Sequence, residues 1–228
     1  MTTPALVIFD CDGVLVDSEP ISIAVLLDMI SRSGTTLSEE EAYEMFLGRS
    51  MATISKILHE DYGFAASAAD LEDMRANLYA RFRADLKPIP GIAETLNRLD
   101  LPRCVASSSQ PDRIRLSLKL TGLLDLLEPN IFSATMVKHG KPAPDLFLHA
   151  AQVMNTPPED CVVIEDSPAG IEAAKRAGMR VFAFTGGTHA RGGRLEAALA
   201  SLEPDLIFGD MLELPGLLSS LQARTDVH

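Results

Sequence analysis

Apolar positions along this chain fall into two textures. Short continuous runs read as buried strands: Ala5-Leu6-Val7-Ile8-Phe9, Arg103-Cys104-Val105-Ala106, Ile131 to Val137, Cys161-Val162-Val163-Ile164, Val181-Phe182-Ala183-Phe184 and Asp205-Leu206-Ile207-Phe208. Between the first two, apolar residues recur every three to four positions instead, as in Ile21, Val25, Leu26 and Met29, Ile54, Ile57 and Leu58, and Leu71, Met74, Leu78 and Phe82. Ser18, Ser38, Ser50 and Ser67 stand where N-caps belong, and Glu39-Glu40-Glu41 suits a helix start. The pattern predicts four helices with no strand among them. Pro88-Ile89-Pro90-Gly91 ends this stretch, after which helices are predicted near 91–99, 111–120, 144–154, 167–177 and 191–201. Alternating strands and helices predict an α/β fold with a parallel sheet and right-handed crossovers. The expected division is a core of residues 1–16 and 87–228 and a helical cap of residues 17–86, with a frayed tail from Thr225 to His228.

Polar residues collect where the strands end. Asp10 and Asp12 follow the first run, with Gly13 letting the chain turn so that both acids reach one site. Ser107-Ser108-Ser109 follows the second run, Lys141 the third, and Glu165-Asp166-Ser167 the fourth. In an open α/β sheet, ligands bind beyond the carboxyl ends of the strands. Two acid pairs, hydroxyls and a lysine converging there point to Mg²⁺ and a phosphoryl group, since Mg²⁺ takes oxygen ligands and lysine binds phosphate.

Composition narrows the partners. A formal charge of −12 over 228 residues argues against nucleic acid, which calls for a basic surface. Positive charge therefore has to be concentrated locally, by Lys141 and a metal. Cys11, Cys104 and Cys161 lie in or beside predicted strands and read as reduced core thiols. No apolar run approaches the roughly 20 residues of a membrane span, and the N-terminus lacks a basic leader segment. The expectation is a cytoplasmic protein, monomeric or a weak homodimer, with a small phosphorylated metabolite as its partner and neither nucleic acid nor membrane. His59, His139, His149 and His189 show no close metal-ligand spacing and are expected to be structural or solvent-facing.

Four segments together resemble the haloacid dehalogenase superfamily in its phosphatase and β-phosphoglucomutase-like branch: Asp10-Cys11-Asp12-Gly13-Val14-Leu15-Val16-Asp17-Ser18-Glu19, Ser107-Ser108-Ser109, Gly140-Lys141-Pro142-Ala143-Pro144-Asp145 and Ile164-Glu165-Asp166-Ser167-Pro168-Ala169-Gly170. They occur in the family's order and cover residues 5 to about 185. The resemblance implies a Rossmann-like core with an inserted four-helix cap, and a Mg²⁺-dependent phosphatase working through an aspartyl phosphate. It makes Asp10 the nucleophile and Asp12 the general acid and base. It assigns metal binding to Asp10, Asp12 (through its carbonyl), Asp166 and Glu165, and phosphate binding to Ser107, Ser108 and Lys141, with Lys138 a weaker candidate. Asp17 is open between a supporting role at the metal, a hinge and a helix cap.

Specificity is expected from the cap, with Arg49, Arg75 and Tyr79 as candidates. The mutase branch typically carries a histidine soon after the nucleophile loop; Glu19 to Ala24 has none, which favours hydrolysis of a sugar or polyol phosphate. A phosphoglucomutase-like phosphosugar mutase is the nearest alternative. A phosphoacceptor signalling domain is the alternative of another class, disfavoured because Asp12 and a lid would only hasten dephosphorylation. A phosphonatase would need a cap lysine, where Lys56 is poorly placed, and a dehalogenase has no use for Asp12.

Overall fold

The computed structural model describes residues 4–32, 34–190 and 193–223. Strands β1 (Leu6–Phe9), β2 (Arg103–Ser107), β3 (Ile131–Ser133), β4 (Cys161–Glu165), β5 (Arg180–Phe184) and β6 (Leu206–Phe208) form one parallel sheet in the order β3-β2-β1-β4-β5-β6. The chain runs outward from β1 to β3 and returns to lay β4 on the other side of β1. The crevice at this switch point is where an α/β sheet binds ligands.

Helices α1 (Glu19–Ser31), α2 (Glu39–Phe46), α3 (Met51–Tyr62) and α4 (Ala68–Asp85) are inserted between β1 and α5 (Ile92–Arg98). The remaining helices are α6 (Pro111–Leu120), α7 (Leu124–Leu127), α8 (Asp145–Val153), α9 (Pro168–Arg176), α10 (Arg194–Ala200) and α11 (Leu214–Ala223). Strand side chains alternate between the two sheet faces. Val7, Phe9, Val105, Val162 and Ile164 pack with Ile92, Leu96, Ile114, Leu118 and Leu214, on α5, α6 and α11. Leu6, Ile8, Cys104, Ala106 and Val163 pack with Leu146, Phe147, Ala150, Ile171 and Leu199, on α8, α9 and α10. The inserted helices enclose apolar clusters of their own, around Ile30, Phe46 and Leu58 and around Val25, Leu78 and Phe82. Their two connections to the sheet run side by side, tied by Asp17 N–H to Lys87 O at 2.9 Å and Ile89 N–H to Leu15 O at 3.0 Å.

Several sequence expectations need correction. The third apolar run is a strand only to Ser133; the Ser133 hydroxyl accepts from Thr135 N–H, and residues 134–136 turn into a 3₁₀ segment. Ser18 precedes α1 without capping it, because its hydroxyl donates to Asp12 instead. Ser38, Ser50 and Ser67 do cap their helices, and Ser38 and Ser67 form reciprocal boxes with Glu41 and Asp70. Helix α11 adds to the elements expected; proline is tolerated in a first turn, and buried Leu214 and Leu218 anchor the helix. The predicted helix over 191–201 is seen as α10 from Arg194, and Arg191, Gly192 and the tail from Thr225 lie outside the described residues. All three cysteines are buried and unpaired. Among the described residues no helix is long and apolar enough to cross a membrane.

Candidate active site

The site lies beyond the carboxyl ends of β1, β2 and β4. Asp10 follows β1 directly, and its amide extends the ladder to Ile164 O at 3.0 Å. Lys141 reaches in from the loop after β3 and is 2% exposed. Its Nζ donates to Asp10 Oδ1 at 2.6 Å, Glu165 Oε1 at 2.7 Å and the Ala106 carbonyl at 3.1 Å. All three ammonium protons are thus committed, and the two carboxylates hold the lysine firmly charged, against its burial. The second Glu165 oxygen accepts from the amides of Asp166 and Ser167 and from the Ser167 hydroxyl, all within 2.9 Å. These contacts engage both Glu165 oxygens at the start of α9. Gly170 permits the approach, because a Cβ there would lie 1.8 Å from the Glu165 carboxyl.

Asp12 is held differently. Its Oδ1 accepts from the Ser18 hydroxyl at 2.6 Å and from Arg113 Nη2 at 2.8 Å, and its Oδ2 accepts from the Ser109 hydroxyl at 2.7 Å. Burial raises its proton affinity, but Arg113 and the two hydroxyls outweigh burial and hold the carboxyl below the usual range. Asp10 and Asp166 go the other way. Burial pushes each well up, and the neighbouring carboxylates add to the shift while Lys141 opposes it. Asp10, Glu165 and Asp166 thus crowd near one buried cation, Lys141, which contacts the first two.

Asp166 sits across the turn from Gly13, whose φ of +80° is a conformation glycine adopts readily. A Cβ at Gly13 would fall 1.7 Å from Asp166 Oδ2. That oxygen is buried without a hydrogen-bond partner. Asp17 accepts from Thr188 through both N–H, at 3.1 Å, and hydroxyl, at 2.8 Å, which ties the entry to the inserted helices onto the loop after β5.

Of the hydroxyl cluster, Ser107 Oγ accepts from Ser109 N–H, while the Ser108 hydroxyl donates to Gly48 O, a contact between the sheet and the inserted helices. A cavity of about 690 Å³ opens above these groups, in the range of small-molecule sites. Asp10, Asp12, Ser107 and Lys141 form its floor, and Arg49, Arg75, Tyr79 and Lys138 also line it. Arg75 pairs with Glu72 on the same helix, at 2.7 Å, and is largely exposed. Asp166 and Glu165 are buried and are not among the residues that line the cavity.

Three residues at the site escaped sequence reasoning. Arg113 joins Asp12 to the Ser22 hydroxyl of α1, at 3.0 Å, with Phe82 of α4 against its guanidinium. A signal existed, because a basic residue in the first turn of a helix opposes the dipole. Glu19 is 8% exposed and borders the cavity, and burial with nearby Asp12 and Asp166 raises its carboxyl to about 8. His189 is fully buried against Asp166, which fits the structural half of the expectation for the histidines; one histidine in a glycine-rich loop gave no signal for that particular neighbour. Cys11 is no nucleophile candidate, since burial and then Asp12 drive its thiol well up.

Comparison with known proteins identifies the family. The family model for haloacid dehalogenase-like hydrolases matches residues 4–178. A 6-phosphogluconate phosphatase of Escherichia coli is 33% identical over 184 residues, 80% of this chain and 83% of the relative. Hexitol phosphatase A of the same organism is 31% identical over 180 residues, 77% of this chain and 81% of the relative. The crystal structure of a haloacid dehalogenase-like protein of unknown function from Agrobacterium tumefaciens superposes with a TM-score of 0.81 at 35% identity, over 96% of this chain and 99% of that one. A parallel sheet with acids, a lysine and hydroxyls at its strand ends, matched across three quarters of its length, makes this chain a member of the haloacid dehalogenase-like hydrolases, in their phosphatase branch.

Proposed function

We propose that this enzyme hydrolyses the phosphate ester of a sugar, polyol or sugar acid, with Mg²⁺ as cofactor and Asp10 as nucleophile. The observation that carries the reading is the pair of differently treated carboxylates, Asp10 on Lys141 and Asp12 on Arg113. Asp10 Oδ1 is taken by Lys141, which leaves Oδ2 for attack on phosphorus. That attack forms the Oδ2–P bond of an aspartyl phosphate and breaks the bond from phosphorus to the ester oxygen, whose alcohol takes its proton from Asp12. A water then attacks the same phosphorus, gives its proton to Asp12, and releases orthophosphate and the Asp10 carboxylate. Asp12 is an anion in the arrangement described above. A phosphate anion arriving beside it raises its proton affinity, as like charges do, which readies it as an acid.

The donor set fits Mg²⁺. Among the described residues no three His, Cys, Asp or Glu side chains form a closed cage, but Mg²⁺ asks only for one or two carboxylates and keeps its waters. Asp10, Asp166 and the Asp12 carbonyl would hold it, with Glu165 set behind Lys141. The crowding of the Asp10, Glu165 and Asp166 carboxylates around one buried cation, Lys141, supports this assignment. When bound, the ion neutralises charge developing on the transferred phosphoryl oxygens. Ser107 and the Ser108 amide are the further phosphate donors in this reading.

The inserted helices act as the cap, with Arg49, Arg75 and Tyr79 facing the leaving group. The relatives that act on 6-phosphogluconate and hexitol phosphates support an open-chain or sugar substrate. Unpaired cysteines fit a reducing, cytoplasmic setting. The test is a panel of phosphorylated sugars, polyols and sugar acids scored by phosphate release with Mg²⁺ and with EDTA. Turnover of at least one member that EDTA abolishes is expected; undiminished turnover in metal-free buffer would contradict the mechanism.

A further inference from the structure

His189 lies in the 3₁₀ turn Thr188–Ala190 after β5, and its side chain is fully shielded from solvent. Its Nε2 stands 2.9 Å from Asp166 Oδ2, while Tyr43 of α2 stacks on the ring with centroids 6.2 Å apart and planes at 27°. The ring N–H is not aligned on the oxygen, so Asp166 Oδ2 and both ring nitrogens lack hydrogen bonds. Three such atoms side by side in a dry pocket are costly, and a small ring rotation at this separation satisfies two of them at once. The loop is itself fixed, because the neighbouring Thr188 grips Asp17 through two bonds.

We propose that His189 is a positioning residue for the cation site: its Nε2–H fixes one oxygen of Asp166 and leaves the other oxygen to face the cation. The proposal rests on the Mg²⁺ reading of the preceding subsection. Carboxylates that bind metals are themselves held by hydrogen bonds from a surrounding layer, and loss of such a partner costs about 10- to 100-fold in metal affinity. Tyr43 covers the imidazole from the inserted helices.

The test is calorimetric titration of the full chain with MgCl₂ and no substrate. His189→Leu keeps bulk but removes the donor, and is expected to weaken Mg²⁺ about 10- to 100-fold. His189→Gln places an amide N–H near Nε2 and is expected to stay within about threefold of wild type, a rescue that a packing role would not produce. An unchanged Kd in His189→Leu, or a His189→Gln variant no better than His189→Leu, would overturn the proposal while leaving the Mg²⁺ reading intact. Absence of Mg²⁺ binding by wild type would overturn both. Should His189→Leu not fold, Gln against the shorter Asn carries the same comparison, with Asn expected to be the weaker binder and equality of the two counting against the proposal.

Discussion

Arg113 and Glu19 show how burial sets chemistry at single residues. The Arg113 guanidinium is the cation on Asp12 and simultaneously meets Ser22 and Phe82 of the inserted helices. Arg113→Met should therefore misplace Asp12 and lower kcat by about tenfold or more, since small misplacements at a reacting centre cost up to about 10²-fold. Steady-state kinetics of a folded variant with unchanged kcat would remove Arg113 from the machinery. Glu19 makes a separate prediction about stability. Its carboxyl is raised from 4.5 to about 8, so between those values the folded chain holds a proton that the unfolded chain has released. Folding stability from this group must then fall as pH rises through that window. In metal-free buffer, Glu19→Gln, which mimics the protonated acid, should melt close to wild type near the lower bound and progressively above it toward the upper one. Melting curves that shift in parallel at every pH would contradict the assignment. Asp10, Asp12 and Asp166 were legible in the sequence because they stand at or just past strand ends, and Lys141 because it lies in the loop that follows β3. Arg113 meets Asp12 and Ser22 from 101 and 91 positions away, and its one local signal was its place in a first helical turn, whereas Glu19 and His189 owe their roles to burial and to neighbours that no local pattern names.

Strand ends and helix starts together make the site. Glu165 closes β4 while its carboxylate accepts from the amides of Asp166 and Ser167, the two residues that lead into α9, so one residue joins sheet, helix entry and Lys141. Elements remote from this junction can be weakened without touching chemistry. Ser67 caps α4 in a reciprocal box with Asp70 at an exposed corner. Ser67→Ala should cost about 1 kcal/mol of stability. Its turnover of acetyl phosphate should match wild type, and denaturant melts beside that assay check both halves. The caps at Ser38, Ser50 and Ser67 were readable because capping is local. Ser18 was misread because Asp12, six residues earlier, competes for its hydroxyl, and the end of β3 was misread because a side chain-to-backbone bond at Ser133 turns an apolar run.

On the scale of the molecule, the sheet and a separately packed helical insertion line one cavity, the two connected by paired stretches of chain near Asp17 and Lys87. The alternation of strands and helices was legible because period is written residue by residue; how the insertion sits on the sheet was not, because it depends on contacts such as Ser108 with Gly48. If the insertion selects the substrate, Arg49→Ala should change the ranking of kcat/KM among sugar phosphates while leaving acetyl phosphate close to wild type. A uniform loss on every substrate would take Arg49 out of the specificity site. The central claim is that Asp10 carries the phosphoryl group, and trapping the phosphoenzyme tests it most directly. Wild type and Asp10→Asn would be quenched in acid during turnover of the best substrate with Mg²⁺, digested, and analysed by peptide mass spectrometry. The account predicts a hydroxylamine-sensitive phosphoryl adduct on the peptide carrying Asp10, and neither adduct nor turnover in a normally folded Asp10→Asn. An adduct on another residue, or wild-type turnover by Asp10→Asn, would contradict it.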